Sequence, residues 1–263
     1  MNKIYAGIIL TLLSLQIGTN PLFSQGKNDE LFKKAAELYM SRDIPSMKRA
    51  LVLIEPETNI LFNKNADSRL IAIQSLIYIH LNQLETMLSP DQAEYFNVSL
   101  QLSERAVSIE RNAITLMALA KSYLVLGKFD EALKTAEEAI QSAPKEAELW
   151  YIAASASPGS ISDSGSPAGE KMVKAINLNP KFIWPLEDII QDAIKNRRKE
   201  VAMVYLAKLE QAVPDFKRLA FHKGLFQYNF GSRKAGIELL QEYMKSDPES
   251  IQAEKISMLL ASK

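Results

Sequence analysis

The stretch AITLMALAKSYLVLGKFDEALKTAEEAIQSAPKE, residues 113–146, decides the fold. Leu116, Leu119, Ala120 and Tyr123 recur at three- and four-residue spacing, which gathers them on one side of a helix. Gly127 follows where a helix end needs a left-handed residue. A second run carrying Ala132, Ala136 and Ala139 stops at Pro144. Proline has no N–H to donate and cannot continue a helix interior. The stretch therefore predicts two antiparallel helices and a tight turn. Its alanines have a mechanical purpose, because helix axes approach to about 8–10 Å only when the contact residues are small.

Working outward, the same punctuation recurs. Prolines stand at Pro144, Pro180, Pro214 and Pro248, separated by 36, 34 and 34 residues, and each follows an apolar-periodic segment. Two helices and a turn fit between each pair. Everything after residue 27 reads as helix, and no segment alternates strictly enough for a strand.

At this point the chain resembles the tetratricopeptide-repeat (TPR) family. Leu116 takes the family's early large apolar place, Leu119 and Ala120 its Leu-Gly pair, and Tyr123 its aromatic place. Gly127 and Phe129 fill the turn, Ala132 and Ala139 the small places of the second helix, and Pro144 the terminus. Ala136 departs, standing where the family prefers an aromatic ring. Residues 147–181 keep Trp150, Ala168, Met172, Ala175 and Pro180. Residues 182–215 keep Leu186, Ile189, Ala202, Leu206 and Pro214 but put Arg197 at the turn glycine. Residues 216–249 keep Gly224, Gly231, Leu240 and Pro248, with Gly236 at the small second-helix place. The resemblance implies an all-α array of helix–turn–helix repeats, a TPR-like right-handed superhelix.

Upstream, Leu31 to Pro56 predicts a helical pair broken at Asp43-Ile44-Pro45, and residues 67–111 a second pair divided near Ser89-Pro90. Segment 56–66 is expected to be a connector. Ser250 to Lys263 predicts one amphipathic helix that caps the array, shielding the apolar side no further repeat covers. This makes about six pairs and a cap. The domain reading is a secretory signal over 1–25, atypical helical pairs over 26–111, and TPR-like repeats with the capping helix over 112–263.

The signal rests on Lys3, the apolar run Ile4–Leu15 and the turn-prone exit through Pro21, Ser24 and Gln25. That run is too short for the roughly 20 residues of a membrane helix. The expected mature protein begins near Gln25 or Gly26, carries no membrane span, and is periplasmic or secreted. Lys+Arg and Asp+Glu are both 31, so net charge gives no case for nucleic acid. The one local basic cluster, Lys195-Asn196-Arg197-Arg198-Lys199, is expected to be a solvated turn between helices. The absence of cysteine excludes disulfides, thiolate metal sites and a cysteine nucleophile.

The search for chemistry points to no enzyme, no cofactor and no metal. His80 and His222 stand in unrelated helices and are expected to be packed, hydrogen-bonded residues. Ser142-Ala143-Pro144-Lys145 fits a Ser-x-x-Lys string but falls at a helix end. The carboxylates Glu137, Glu138, Glu146 and Glu148 read as solvated faces. Asp247 and Glu249 read as helix-start residues, and Asn97-Val98-Ser99 is a glycosylation string inside a predicted helix. The loop Ser157–Pro167, with five Ser, two Gly and two Pro, is expected to be less ordered than the helices.

What remains is a surface. The resemblance implies that the first helix of each pair lines a concave, peptide-binding side. The places carried over are Met117, Lys121 and Leu124; Tyr151 and Ser155; Trp184, Glu187 and Gln191; and Phe221, Leu225 and Tyr228. Aromatic side chains suit such a role because they bury large area and keep a polar tip. The expected function is an exported, non-enzymatic scaffold for a protein or peptide partner in the cell envelope. An alternative, from a resemblance of Leu149–Ser155 to the helical TPR-type component of TRAP transporters, is an accessory handling a small solute.

Overall fold

The computed structural model describes residues 27–40, 44–58, 66–85, 92–248 and 250–261. The predicted signal, Asp43 of the expected break at Asp43-Ile44-Pro45, most of the expected connector and the break near Ser89-Pro90 lie outside them, while Ile44 and Pro45 open a helix. Among the described residues there are thirteen α-helices and no strand. They are α1 (Lys27–Met40), α2 (Ile44–Thr58), α3 (Ser68–Glu85), α4 (Gln92–Ile109), α5 (Ala113–Val125) and α6 (Phe129–Ser142), which form one compact unit. A second unit holds α7 (Ala147–Ala156), α8 (Pro167–Leu178), α9 (Ile183–Lys195), α10 (Lys199–Ala212), α11 (Leu219–Phe230), α12 (Arg233–Ser246) and α13 (Ile251–Ala261). These are six antiparallel pairs and a closing helix. The first pair runs further than expected: α2 continues through Pro56 to Thr58, whose hydroxyl donates to the Ile54 carbonyl at 3.1 Å.

The four prolines build one turn four times. α6, α8, α10 and α12 end in C-caps Ala143, Asn179, Val213 and Asp247, each immediately before its proline. Each cap carbonyl then accepts from the N–H three residues on: Glu146 at 3.1 Å, Phe182 at 3.0 Å, Phe216 at 3.1 Å and Ser250 at 3.2 Å. Proline favours the second place of such a turn because its ring presets φ. Asp247 thus closes α12 rather than opening a helix. Ser250 does the opening instead, its hydroxyl accepting from Ala253 N–H at 3.2 Å.

Twelve residues before each proline stand Ala132, Ala168, Ala202 and Gly236, all buried. The approach is close at Gly236, where a Cβ would lie 2.4 Å from Tyr228 N and 2.7 Å from its Cα. The backbones of α11 and α12 therefore touch there, and only glycine fits.

In the first unit α3 is the centre. Leu70, Ile71, Leu76 and Ile77 are fully buried on nearly every side of it, as expected of a helix surrounded by others. Between α3, α4 and α5 the contact residues are serines 75, 99, 103 and 122, all fully buried. Their hydroxyls bond back to helix carbonyls or to one another, Ser75 to Ser99 O at 2.7 Å and Ser103 to Ser122 at 3.1 Å. Buried hydroxyls satisfied this way let helices pack closely without an orphaned polar atom.

Candidate partner-binding face

In the second unit α7, α9 and α11 are the first helices of their pairs. Their half-buried side chains include Tyr151 and Ser155 on α7, Trp184 on α9, and Leu225 and Tyr228 on α11; Gln191 on α9 is exposed. Tyr151 and Trp184 come together, ring centroids 6.0 Å apart, over Phe182, whose ring lies 5.4 Å from the first and 5.6 Å from the second. The Tyr151 hydroxyl donates to Asp188 Oδ2 at 2.7 Å. Three aromatic rings and a carboxylate thus form a shelf between α7 and α9. Phe182 and Asp188 escaped the sequence reading. Phe182 precedes its helix, and Asp188 lies between the expected face positions.

Leu225 packs against the core around α9 and α10, and against the core formed by α11, α12 and α13. Phe221 lies in the latter core with Leu240 and Tyr243, 3% exposed, so its ring is held by packing. Ser155 donates to the Tyr151 carbonyl of its own helix at 2.9 Å. Tyr228 carries the Arg233 guanidinium 4.9 Å above its ring and accepts from it at 2.8 Å. In the first unit Met117 and Lys121 are buried and Leu124 is half-buried.

Glu187 is turned away from solvent. It accepts from Arg218 at 2.7 Å and meets His222 Nε2 at 2.8 Å, tying α9 to α11. Both Glu187 and His222 are buried. Removing one partner would strand a buried charge, which costs about 3–5 kcal/mol. His80 likewise meets the Tyr39 hydroxyl at 2.9 Å. Both histidines are packed and hydrogen-bonded, as their positions on apolar helix faces suggested.

The other strings resolve equally simply. Ser142 donates to Ala139 O at 3.0 Å in the last turn of α6, and Lys145 lies exposed beyond it. Ser99 is fully buried, its hydroxyl spent on Phe96 O at 2.9 Å. Glu138 is forked by Arg111 at 2.6 Å, and this contact holds its carboxyl below the usual range.

The loop 157–167 departs from expectation. Ser160 donates to Asp192 Oδ2, and Ser162 N–H to the same oxygen at 3.0 Å. Ser166 caps α8 by accepting from Gly169 N–H at 3.0 Å while donating to Ser160 O at 2.7 Å. Arg198 reaches Asp163 at 3.3 Å. The serines that suggested looseness are the anchors.

With this geometry in view, residues 114–156 match the tetratricopeptide-repeat family. That stretch is a tetratricopeptide repeat. Two solved structures share the TPR fold. One is Pseudomonas aeruginosa PilF, at 14% identity and TM-score 0.52, covering 90% of this chain and all of that one. The other is the human IFIT1 dimer with PPP-AAAA, at 16% identity and TM-score 0.56, covering 95% of this chain and 65% of that one. No curated protein matches the sequence. The TPR places in this chain follow the sequence reading at Gly127 and at all four prolines. Tetratricopeptide repeats such as that over 114–156 are protein-interaction folds; the partner-binding residues themselves are a proposal.

Proposed function

We propose that this TPR protein is a non-enzymatic module of the bacterial cell envelope, exported by its N-terminal signal, that holds a protein or peptide partner against the first helices of its repeats. The observation that carries the reading is the shelf of Tyr151, Phe182 and Trp184. These are large rings gathered on adjacent first helices, with Tyr151 and Trp184 only half-buried. Interface anchors are rings of this kind, presented with a polar tip and surrounded by groups that exclude water. Leu124 belongs to the same reading in the first unit, where Met117 and Lys121 are buried beneath the face, and Gln191, Leu225 and Tyr228 in the second. No observation favours the handling of a small solute. The hollows on the described surface over α12 and over α6 are open, and each is lined by one helix.

The test measures partner capture and melting together. Tyr151→Ala and Trp184→Ala are compared with the unaltered protein in pull-downs from envelope extract, followed by titration of the partner so identified. Loss of a central aromatic anchor is expected to weaken binding by about 2 kcal/mol, roughly thirtyfold. Loss of melting temperature with partner affinity intact would retire the reading.

A further inference from the structure

One edge of the second unit breaks several local rules at once, all in the same electrical direction. At the turn from α9 to α10, Arg197 adopts φ 57°, the left-handed place that Gly127 fills without strain one unit earlier. The turn geometry is the same at both. Lys128 N–H reaches Tyr123 O at 2.9 Å and Arg198 N–H reaches Ala193 O at 2.8 Å, each the closing bond of a left-handed helix cap. The next position, Arg198, is the N-cap of α10 and makes no side-chain capping bond, where Ser, Asp or Asn would serve. Lys199 opens α10, and Arg233 and Lys234 open α12, whose first turn has no acidic residue. Helix N-termini already carry positive partial charge and favour acidic side chains there, as Asp130 and Glu131 supply to α6.

The two turns belong to one surface. Arg197 donates to Asn229 Oδ1 at 3.2 Å, joining the α9–α10 turn to the end of α11. Lys195, Arg197, Lys199, Arg233 and Lys234 are exposed. Among the described residues Lys195, Lys199 and Lys234 form no ion pair. The acidic neighbours are few. Asp163 is taken by Arg198, Asp192 is held by Ser160 and Ser162, and Glu200 and Glu238 follow one residue after Lys199 and four after Lys234. Sequences tolerate such local conflicts mainly where function requires them.

We propose that this basic edge docks an acidic, extended segment of a partner protein, its carboxylates received by Arg197, Lys199, Arg233 and Lys234. The occupant follows from the chemistry. The only large apolar side chains exposed near these turns among the described residues are Met203 and Val204 on α10, too small an apolar patch beside four cations to anchor in a lipid surface. Of the rings nearby, Tyr228 is covered by Arg233 and Phe230 packs with Phe226 against the core, so neither offers a stacking platform for bases. Arginine and lysine remain, and they pair with carboxylates. Adjacent first helices lie about 10 Å apart, and a chain extended as polyproline II advances about 3.1 Å per residue with three residues per turn, so every third side chain shares one face. Acidic residues three apart would therefore meet successive turns. The inference goes beyond the aromatic shelf and rests on other residues.

The experiment uses the full chain and a labelled, capped peptide with Glu at every third position, against the same peptide with Gln. Fluorescence anisotropy at low and at physiological salt is expected to show saturable, salt-sensitive binding of the Glu peptide alone. Arg197→Gly removes the charge but relieves the strained turn, so it keeps or raises stability while weakening binding. Exposed pairs are worth about two- to fivefold each, so Lys199→Ser, Arg233→Ser and Lys234→Ser combined should lose roughly ten- to a hundredfold. Tyr151→Ala should leave this peptide's affinity unchanged, which separates failure here from failure of the shelf reading. Equal binding of Glu and Gln peptides, or unchanged affinity in the charge variants, overturns the proposal. So does tighter binding to phosphatidylglycerol vesicles than to the Glu peptide.

Discussion

At the residue scale the informative pair is Gly127 and Arg197, each seventeen places before a repeat proline. Both adopt positive φ, 72° and 57°. A Cβ at Gly127 would meet nothing within 4 Å, so the penalty for adding one is conformational alone. Left-handed backbone costs a non-glycine residue about 1–2 kcal/mol. Gly127→Ala is therefore expected to destabilise by about 1 kcal/mol or more. Arg197→Gly should do the reverse, less the entropy glycine adds to the unfolded chain and the Asn229 bond, leaving a gain of about 0.5–1 kcal/mol. Thermal unfolding of the two variants gives opposite shifts if the turns are equivalent. Shifts of the same sign would mean that they are not. The glycine was legible from its place in the period. The period put Arg197 at the turn as well, but did not show its left-handed backbone, which a residue with a Cβ disfavours.

At the element scale the close approach of paired helices sets the rules. In an exposed helix interior Gly→Ala stabilises by about 1 kcal/mol. At Gly236 the new methyl would press on the backbone of Tyr228, which cannot swing aside as a side chain can. Overpacking costs about 1–3 kcal/mol, so the sign reverses and Gly236→Ala is expected to lower the melting temperature. Ala132→Leu, at the same place in its own pair and fully buried, should cost a similar amount. An unchanged midpoint in either would show that the helices part more easily than their contact implies.

The loop between α7 and α8 is an element of the same rank. Burial pushes the Asp192 carboxyl up, but hydrogen bonds from Ser160 and Ser162 and the charge of Arg198 outweigh it and hold it low. A carboxylate lowered in the fold contributes stability above its unfolded value, about 3.9, and loses it as pH falls through the folded one. Proteolysis at Ser164-Gly165 should accordingly quicken below pH 4, and Asp192→Ala should show the fast rate already at pH 7. Equal rates for the two proteins at pH 7 would mean that the serines do not anchor the loop.

At the scale of the whole molecule the export reading awaits its own experiment. Lys3 and the apolar run to Leu15 lie outside the described residues, and the expectation rests on their pattern. A mature N-terminus between residues 20 and 28 is expected when the protein is purified from its host and sequenced. An intact Met1 on protein from the cytoplasm would end the envelope assignment. The aromatic shelf and the basic edge both lie in the unit from Ala147 onward. A partner carrying an apolar anchor and an acidic tail would use both, and avidity would then multiply the two affinities.

The sequence by itself determined the helices, their pairing and their ends. Those features are written in short-range chemistry, with proline ending helices, glycine turning them and alanine letting them meet within one period. It could not determine what the polar side chains do, because their partners lie some thirty or more residues away. Glu187 shares a helical face with Trp184 and Gln191, yet the fold turns it inward to Arg218 and His222. Five serines in one loop look like freedom until Asp192, from another helix, accepts from two of them. Lys195–Lys199 looks like any solvated turn until Arg233 and Lys234 open the neighbouring helix and Asn229 joins the two turns. Charge and hydrogen bonding act between elements, so only their arrangement in space fixes which groups are spent on the fold and which are left for a partner.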